Sequence, residues 1–92
     1  MNNKMENEKM EHPQKYYQTK DLFLACYLMC QGVIFEGLGQ TGNNSHYLFI
    51  FSDPVDCENL ERSFWQGGHV NVQSFIAAYK MLKSKLFKEK GW

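Results

Sequence analysis

Residues 51–65 read FSDPVDCENLERSFW and predict a strand that runs straight into a helix. Pro54 fits the first turn of a helix, because its missing N–H costs no hydrogen bond there. Ser52 or Asp53 can cap this turn, and Asp56 places a carboxylate near the positive end of the helix dipole. The segment therefore predicts a helix that begins at Pro54.

Two more helices are predicted, one on each side of this segment. Downstream, Gly67 ends the first helix and Asn71 can cap the next one. Upstream, residues 22–30 are apolar on every face, which is typical of a helix at the centre of a domain, here called the hub helix. Thr19 can cap the hub helix, and Gly32 can end it. The last helix has a predicted buried stripe at Phe75, Ile76, Tyr79, Leu82 and Leu86.

A β-hairpin is predicted after the hub helix. Residues 33–38 and 47–51 are β-prone and flank residues 39–45, which read GQTGNNS and are rich in turn formers. Because two strands alone are marginally stable, one face of the hairpin is expected to pack on the helices. The sequence thus predicts one α+β domain over residues 15–90, in the order hub helix, hairpin and two helices (α-β-β-α-α). Residues 1–14 are polar and are predicted to form a disordered tail.

The charges of the chain cancel, with ten basic and ten acidic residues among 92 and a pI near 6.8. They are unevenly spread, because every charged residue from Asp21 to Glu61 is acidic and the last helix is rich in lysine. Three cysteines cannot all pair within the chain, which favours a reducing compartment. No apolar run reaches the roughly 18 residues of a membrane span. We therefore expect a cytoplasmic protein that makes no membrane contact.

The patterns that indicate catalysis or cofactor binding are weak in this sequence. Cys26 and Cys30 share a helix face, but Cys57 supplies no second pair, so buried free thiols are favoured over zinc. Residues 37–42 read GLGQTG, yet they lie between predicted strands and lack the lysine of a phosphate-binding loop. We expect no metal, no cofactor and no enzymatic activity.

A spaced set of aromatic, apolar and capping residues runs through the whole predicted domain. Its members are Tyr17, Thr19, Asp21, Leu22, Ala25, Leu28, Gly32, Tyr47, Phe49, Phe51, Asp53, Cys57, Leu60, Phe64, Trp65, Gly67, Val70, Val72, Phe75, Ala78, Leu82 and Lys83. This pattern resembles a domain-of-unknown-function family of small bacterial, phage and mobile-element proteins. The resemblance implies the fold and an origin in a phage or other mobile element, and it brings no catalytic residues.

Protein binding fits the residue inventory best. Phe64 and Trp65 are consecutive and therefore about 100° apart on a helix, so both can hardly point into one small core. The residues expected to bind a protein are Trp65, Asp56, Glu58, Glu61 and Arg62. We expect a small non-enzymatic intracellular protein whose partner is a host protein or protein–nucleic-acid complex. Inhibition of a host nucleic-acid-handling or defence complex is the specific version of this hypothesis.

Two other functions stay open. A nucleic-acid-binding accessory protein would contact a single strand through the lysines of the last helix and stack its bases on exposed tyrosines. The residues in question are Lys80, Lys83, Lys88, Lys90, Tyr16 and Tyr17. The third hypothesis is a homodimer formed through Trp65 and the edge of the hairpin, so a monomer and a homodimer are both open.

Overall fold

The computed structural model describes residues 15–40 and 47–89. The elements in this part of the chain are strand β1 (Tyr17–Thr19), helix α1 (Leu22–Cys30), strand β2 (Phe35–Gln40), strand β3 (Tyr47–Phe51), helix α2 (Pro54–Trp65) and helix α3 (Val72–Glu89). They form an α+β domain, which confirms the predicted fold class. The tail predicted over residues 1–14, residues 41–46 of the hairpin tip and Lys90 lie outside the described residues.

The sheet is antiparallel and has the strand order β1-β3-β2. The predicted hairpin is β2 and β3, with Leu38 opposite Phe49, but Gly39 and Gln40, which were assigned to the turn, belong to β2. Strand β1 was not predicted; it places Tyr17 opposite Phe51 and Thr19 opposite Phe49. The element order is therefore β-α-β-β-α-α instead of α-β-β-α-α. A strand of three residues gives little local signal, because it forms only where a partner such as β3 offers a free edge.

Helix α1 is the centre of the core, as predicted for the hub helix. The five consecutive residues from Leu24 to Leu28 are all buried, which requires neighbours on every side of the helix. Helices α2 and α3 and strand β1 all pack against it. The buried residues that these helices and strand β3 contribute are Phe49, Phe51, Cys57, Ala78 and Leu82.

The start of α1 differs from the prediction. Asp21 is the N-cap, and its Oδ1 accepts hydrogen bonds from the backbone N–H groups of Phe23 at 2.9 Å and Leu24 at 3.1 Å. Thr19, the predicted cap, lies in β1, and its hydroxyl oxygen accepts a hydrogen bond from the Asp21 N–H at 3.1 Å. The prediction was wrong because both residues suit a cap and strand β1 was not foreseen. Gly32 follows the helix with a φ of +89°, as the prediction required.

Helix α2 begins at Pro54, as predicted, but without the expected side-chain cap. Asp53 occupies the cap position in a left-handed conformation, φ 55° and ψ 66°, and makes no side-chain capping hydrogen bond among the described residues. Ser52, the other predicted cap, donates its backbone N–H to the carbonyl oxygen of Ile34 at 3.1 Å. The left-handed conformation costs an L-residue about 1–2 kcal/mol. Asp53 adopts this conformation at the sharp turn that connects β3 to α2.

The connection from α2 to α3 passes directly over helix α1. Gly67 ends α2 with a φ of +88°. A Cβ atom at Gly68 would lie 2.3 Å from the hydroxyl oxygen of Tyr27, so only glycine fits this approach without a shift. Asn71 then caps α3 as predicted, since its Oδ1 accepts a hydrogen bond from the Ser74 N–H at 3.0 Å.

Helix α3 packs on α1 along most of the predicted stripe. Its buried or partly buried core positions are Phe75, Ala78, Tyr79, Met81, Leu82 and Leu86. Ile76, which was assigned to this stripe, is exposed instead. It lies about 100° around the helix from Phe75 and about 160° from the buried Ala78.

Candidate functional site

One side of helix α2 carries most of the residues that the sequence singled out for protein binding. At about 100° per residue, Glu58, Glu61, Arg62 and Trp65 fall within an arc of roughly 100°. The spacing of three and four residues brings them together on the helix surface. With Gln66 they line a shallow, open groove.

Trp65 is the aromatic residue that lines this groove, and 67% of its surface is accessible. Its indole ring contacts the Phe64 ring edge-on, with 5.0 Å between the ring centroids. Phe64 in turn packs on the buried Tyr27 at 5.4 Å. The two consecutive aromatics therefore divide as expected from their angular separation: Phe64 joins the core, and Trp65 presents a large apolar face to solvent.

Strand β1 is tied to helix α2 beside this groove. The hydroxyl of Tyr17 donates a hydrogen bond to Oε1 of Glu61 at 2.6 Å. Burial, followed by this hydrogen bond and the negative charge of Glu61, raises the pKa of the Tyr17 phenol well above its usual value of 10.0. Tyr17 is therefore a neutral donor over the physiological range, and it fixes the Glu61 carboxylate in place.

A second groove continues the first one across β1. It is lined by Lys15, Tyr16, Tyr17, Gln18 and Glu58, so Glu58 belongs to both grooves. Tyr16 is 45% exposed in it.

The combined surface, here called the α2–β1 surface, consists of Tyr16, Glu58, Glu61, Arg62 and Trp65. Arg62 is itself held by a hydrogen bond from its guanidinium to the side-chain oxygen of Asn59. Two exposed aromatics, one arginine and two carboxylates thus lie in two adjoining grooves that share Glu58.

Asp56, also assigned to the protein-binding set, does not join this surface. It is two residues from Glu58 and therefore lies about 160° around α2 from it. It lines a different groove, together with Asp53, Asn59 and Leu60.

The residues assigned to nucleic-acid binding are also divided by the fold. Tyr17 contacts α2, and Tyr16 lines the groove beside it, so neither tyrosine lies with the lysines of α3. Lys80 and Lys83 are about 60° apart on α3, whereas Lys88 is about 140° from Lys83. These lysines do not form one face.

Tyr17 is the residue whose position sequence reasoning missed most clearly. Its contact with Glu61 depends on strand β1, which has only three residues and pairs with a segment 30 to 34 residues further along. The alternation Tyr-x-Thr before the helix cap was the single local signal of a strand.

The described residues offer no metal site, since no group of three or more histidine, cysteine, aspartate or glutamate side chains lies close enough together among them. Burial raises the pKa of the Cys26 and Cys57 thiols from 9.0 to about 11, so both are protonated near neutral pH. Within the same part of the chain, no helix combines the length and apolar character that crossing a membrane requires.

Comparison with known proteins identifies a family. No curated protein matches the chain, and no solved structure matches it. Residues 14–88 match the family described as a domain of unknown function, DUF5659. This match spans more than half of the chain and runs from before β1 to the penultimate residue of α3. The protein therefore belongs to the DUF5659 family.

Proposed function

We propose that this protein is a non-enzymatic binding protein that acts by contact with another protein through its α2–β1 surface. The observation that carries the proposal is the exposure of Trp65 beside Arg62 in one groove, with the exposed Tyr16 in the adjoining groove that shares Glu58. Tryptophan, tyrosine and arginine are the residues that contribute most often to binding hot spots. Because Phe64 packs against the core and Trp65 is 67% exposed, most of the indole is free for a partner.

The charges of helix α2 favour a partner with a basic patch. In the two grooves Glu58 and Glu61 are matched by Lys15 and Arg62, but helix α2 as a whole carries three carboxylates and one guanidinium. Tyr17 holds the Glu61 carboxylate in a fixed position, which lowers the entropy cost of pairing it with a cation. Acidic groups around an aromatic anchor also increase the rate of encounter with a basic protein.

A host protein or protein–nucleic-acid complex is the partner that we propose. Proteins that handle nucleic acid have basic surfaces, and an acidic patch can occupy such a surface in place of phosphates. The specific proposal is inhibition of a nucleic-acid-handling or defence complex by a protein encoded in a phage or other mobile element. This activity requires no cofactor.

The test is affinity capture with the tagged full-length chain from a lysate of its source cells, with and without nuclease and at low and high salt. Each surface variant has a matched control. Trp65→Ala is paired with Ile34→Ala, because Ile34 is 63% exposed and lies outside the surface. Glu58→Lys is paired with Asp56→Lys, which makes the same charge change on the opposite side of the same helix.

We expect a stoichiometric protein that resists nuclease to be retained by the wild type and by both controls. The Trp65→Ala and Glu58→Lys variants should not retain this protein. Retention of the same protein by all four variants would overturn the proposed surface. If the captured material were only nuclease-sensitive and salt-labile, the protein-contact function itself would be wrong.

A further inference from the structure

A second surface lies where helices α1 and α3 meet. Phe23 of α1 is 55% exposed although it sits among aromatic residues of the core edge. Its ring is nearly parallel to those of Tyr79 and Phe75, with interplanar angles of 9° and 18°. The centroid distances of 6.1 Å to Tyr79 and 6.4 Å to Phe75 show that the rings are offset from one another. They form a small aromatic platform whose outermost ring is Phe23.

Two lysines of α3, Lys80 and Lys83, lie next to this platform. The Lys83 ammonium lies 5.8 Å from the centroid of Tyr79 and 5.3 Å from that of Phe87, in cation–π geometry. Lys80 lies less than one turn before it on α3. The side of α3 next to Tyr79 comprises an arc of about 80° that contains Val72, Ile76, Lys80, Lys83 and Phe87.

The charge of α3 is positive and opposite to that of α2. Four lysines and one glutamate give Val72–Glu89 a net charge of +3. The glutamate, Glu89, lies well outside the arc that holds Lys80 and Lys83. The carboxylate nearest to Phe23 in the sequence, Asp21, already accepts two backbone N–H groups as the cap of α1.

We infer that the α1–α3 surface, defined as Phe23, Tyr79, Lys80 and Lys83, binds single-stranded nucleic acid. An unpaired base stacks on the exposed face of Phe23, and the flanking phosphates contact the two lysine ammonium groups. Parallel rings beside cations are the combination that single-strand binders use. The inference concerns a different surface from the proposed protein contact and does not depend on it.

The same residues also predict what kind of nucleic acid binds. A ring can stack only on a base that is not already stacked within a duplex, so the surface favours a single strand. Lysine is a point charge and lacks the planar fork of arginine that reads guanine edges. The single arginine, Arg62, belongs to the α2–β1 surface. Binding should therefore depend little on base sequence.

The experiment is fluorescence anisotropy of the full-length chain with a labelled oligothymidylate of about 12 nucleotides, and with the matching duplex. With two phosphate contacts, the affinity should fall roughly 7-fold between about 50 mM and about 200 mM salt. Three variants are compared with the wild type: Lys83→Glu, Phe23→Ala and Lys88→Glu. Lys88→Glu is the matched control, because it makes the same charge change on another side of α3.

We expect a Kd on the order of 10 to 100 µM for the single strand and weaker binding of the duplex. Lys83→Glu should weaken binding about 10-fold, Phe23→Ala should weaken it about 5- to 10-fold, and Lys88→Glu should change it less than about 3-fold. Circular dichroism confirms that each variant is folded. The proposed site would be wrong if Lys83→Glu and Lys88→Glu weakened binding equally, or if Phe23→Ala left the affinity unchanged. Absence of oligonucleotide binding by the wild type would also overturn it and leave a protein as the occupant of this surface.

Discussion

Substitution of Gly68 by alanine is predicted to destabilise the domain through one identifiable clash. The added Cβ would lie 2.3 Å from the hydroxyl oxygen of Tyr27, 2.8 Å from its Cζ and 2.9 Å from its Cε1. Tyr27 cannot swing away, because it is only 5% exposed and its ring packs on Phe64. Either the ring must shift into the core or the α2–α3 connection must lift off α1.

The size of the effect follows from two opposing contributions. Overpacking of a filled site costs about 1–3 kcal/mol, and three contacts below 3 Å put Gly68→Ala at the upper end of that range. Alanine also restricts the unfolded chain, which returns about 0.4–1 kcal/mol where the backbone conformation is allowed. The expected net loss is therefore about 2 kcal/mol. For a domain of this size, that loss lowers the Tm by roughly 8–16 °C.

A double-mutant cycle in urea, followed by circular dichroism, tests the cause as well as the size. Tyr27→Phe removes the atom that lies closest to the new Cβ, so Gly68→Ala should cost about 1 kcal/mol less in that background. The matched control is Gly39→Ala, whose Cβ would meet only the flexible end of Ile50 at 3.0 Å and should change stability little. The clash would be refuted if Gly68→Ala were as stable as the wild type, or if it lowered the free energy of unfolding equally in the wild-type and Tyr27→Phe backgrounds.

Three further predictions concern the link between β1 and α2, the buried thiols and the start of α2. Tyr17→Phe removes the hydrogen bond to Glu61 and should lower the free energy of unfolding in urea by about 1–2 kcal/mol, whereas an unchanged value would show that the bond contributes nothing. Burial raises the pKa of Cys26 and Cys57 from 9.0 to about 11, so the folded state retains protons that the unfolded chain has lost. The unfolding free energy should therefore stay level below pH 9 and fall as the pH rises towards 11. The fall should be at most about 1.4 kcal/mol per pH unit for each thiol. An unfolding free energy that stays level from pH 9 to 11 would contradict the raised pKa values. Asp53 has a left-handed φ of 55°, which glycine adopts without steric cost. Asp53→Gly should therefore stabilise the domain by about 0.5–1 kcal/mol and raise the Tm by a few degrees. A lower Tm would show that the aspartate side chain stabilises the turn.

The elements that the sequence predicted are those whose signals are local. Pro54 sets the start of α2, Asn71 caps α3, and the unbroken apolar run of residues 22–30 marks the hub helix. Each of these signals lies within about three turns of one helix. The hairpin could also be predicted from the sequence, because its strands and turn formers are adjacent in the chain.

The candidate surface was predicted only in part, because it depends on contacts between distant segments. Trp65 and its helical neighbours could be found from their spacing along α2. The addition of Tyr16 and the fixing of Glu61 by Tyr17 required strand β1, which is stabilised by pairing with β3. Asp56 was grouped with the others because it is close in sequence, although helical geometry places it on the far side of α2.

The measurement that tests the central claim most directly is the affinity of the captured partner for Trp65→Ala, relative to Ile34→Ala, by titration calorimetry. Truncation of a central aromatic anchor costs about 2 kcal/mol or more, so Trp65→Ala should weaken binding at least about 30-fold. Ile34→Ala, which removes a comparably exposed apolar side chain elsewhere, should leave the Kd unchanged. Equal affinities for the two variants would contradict the proposal that the α2–β1 surface binds the partner.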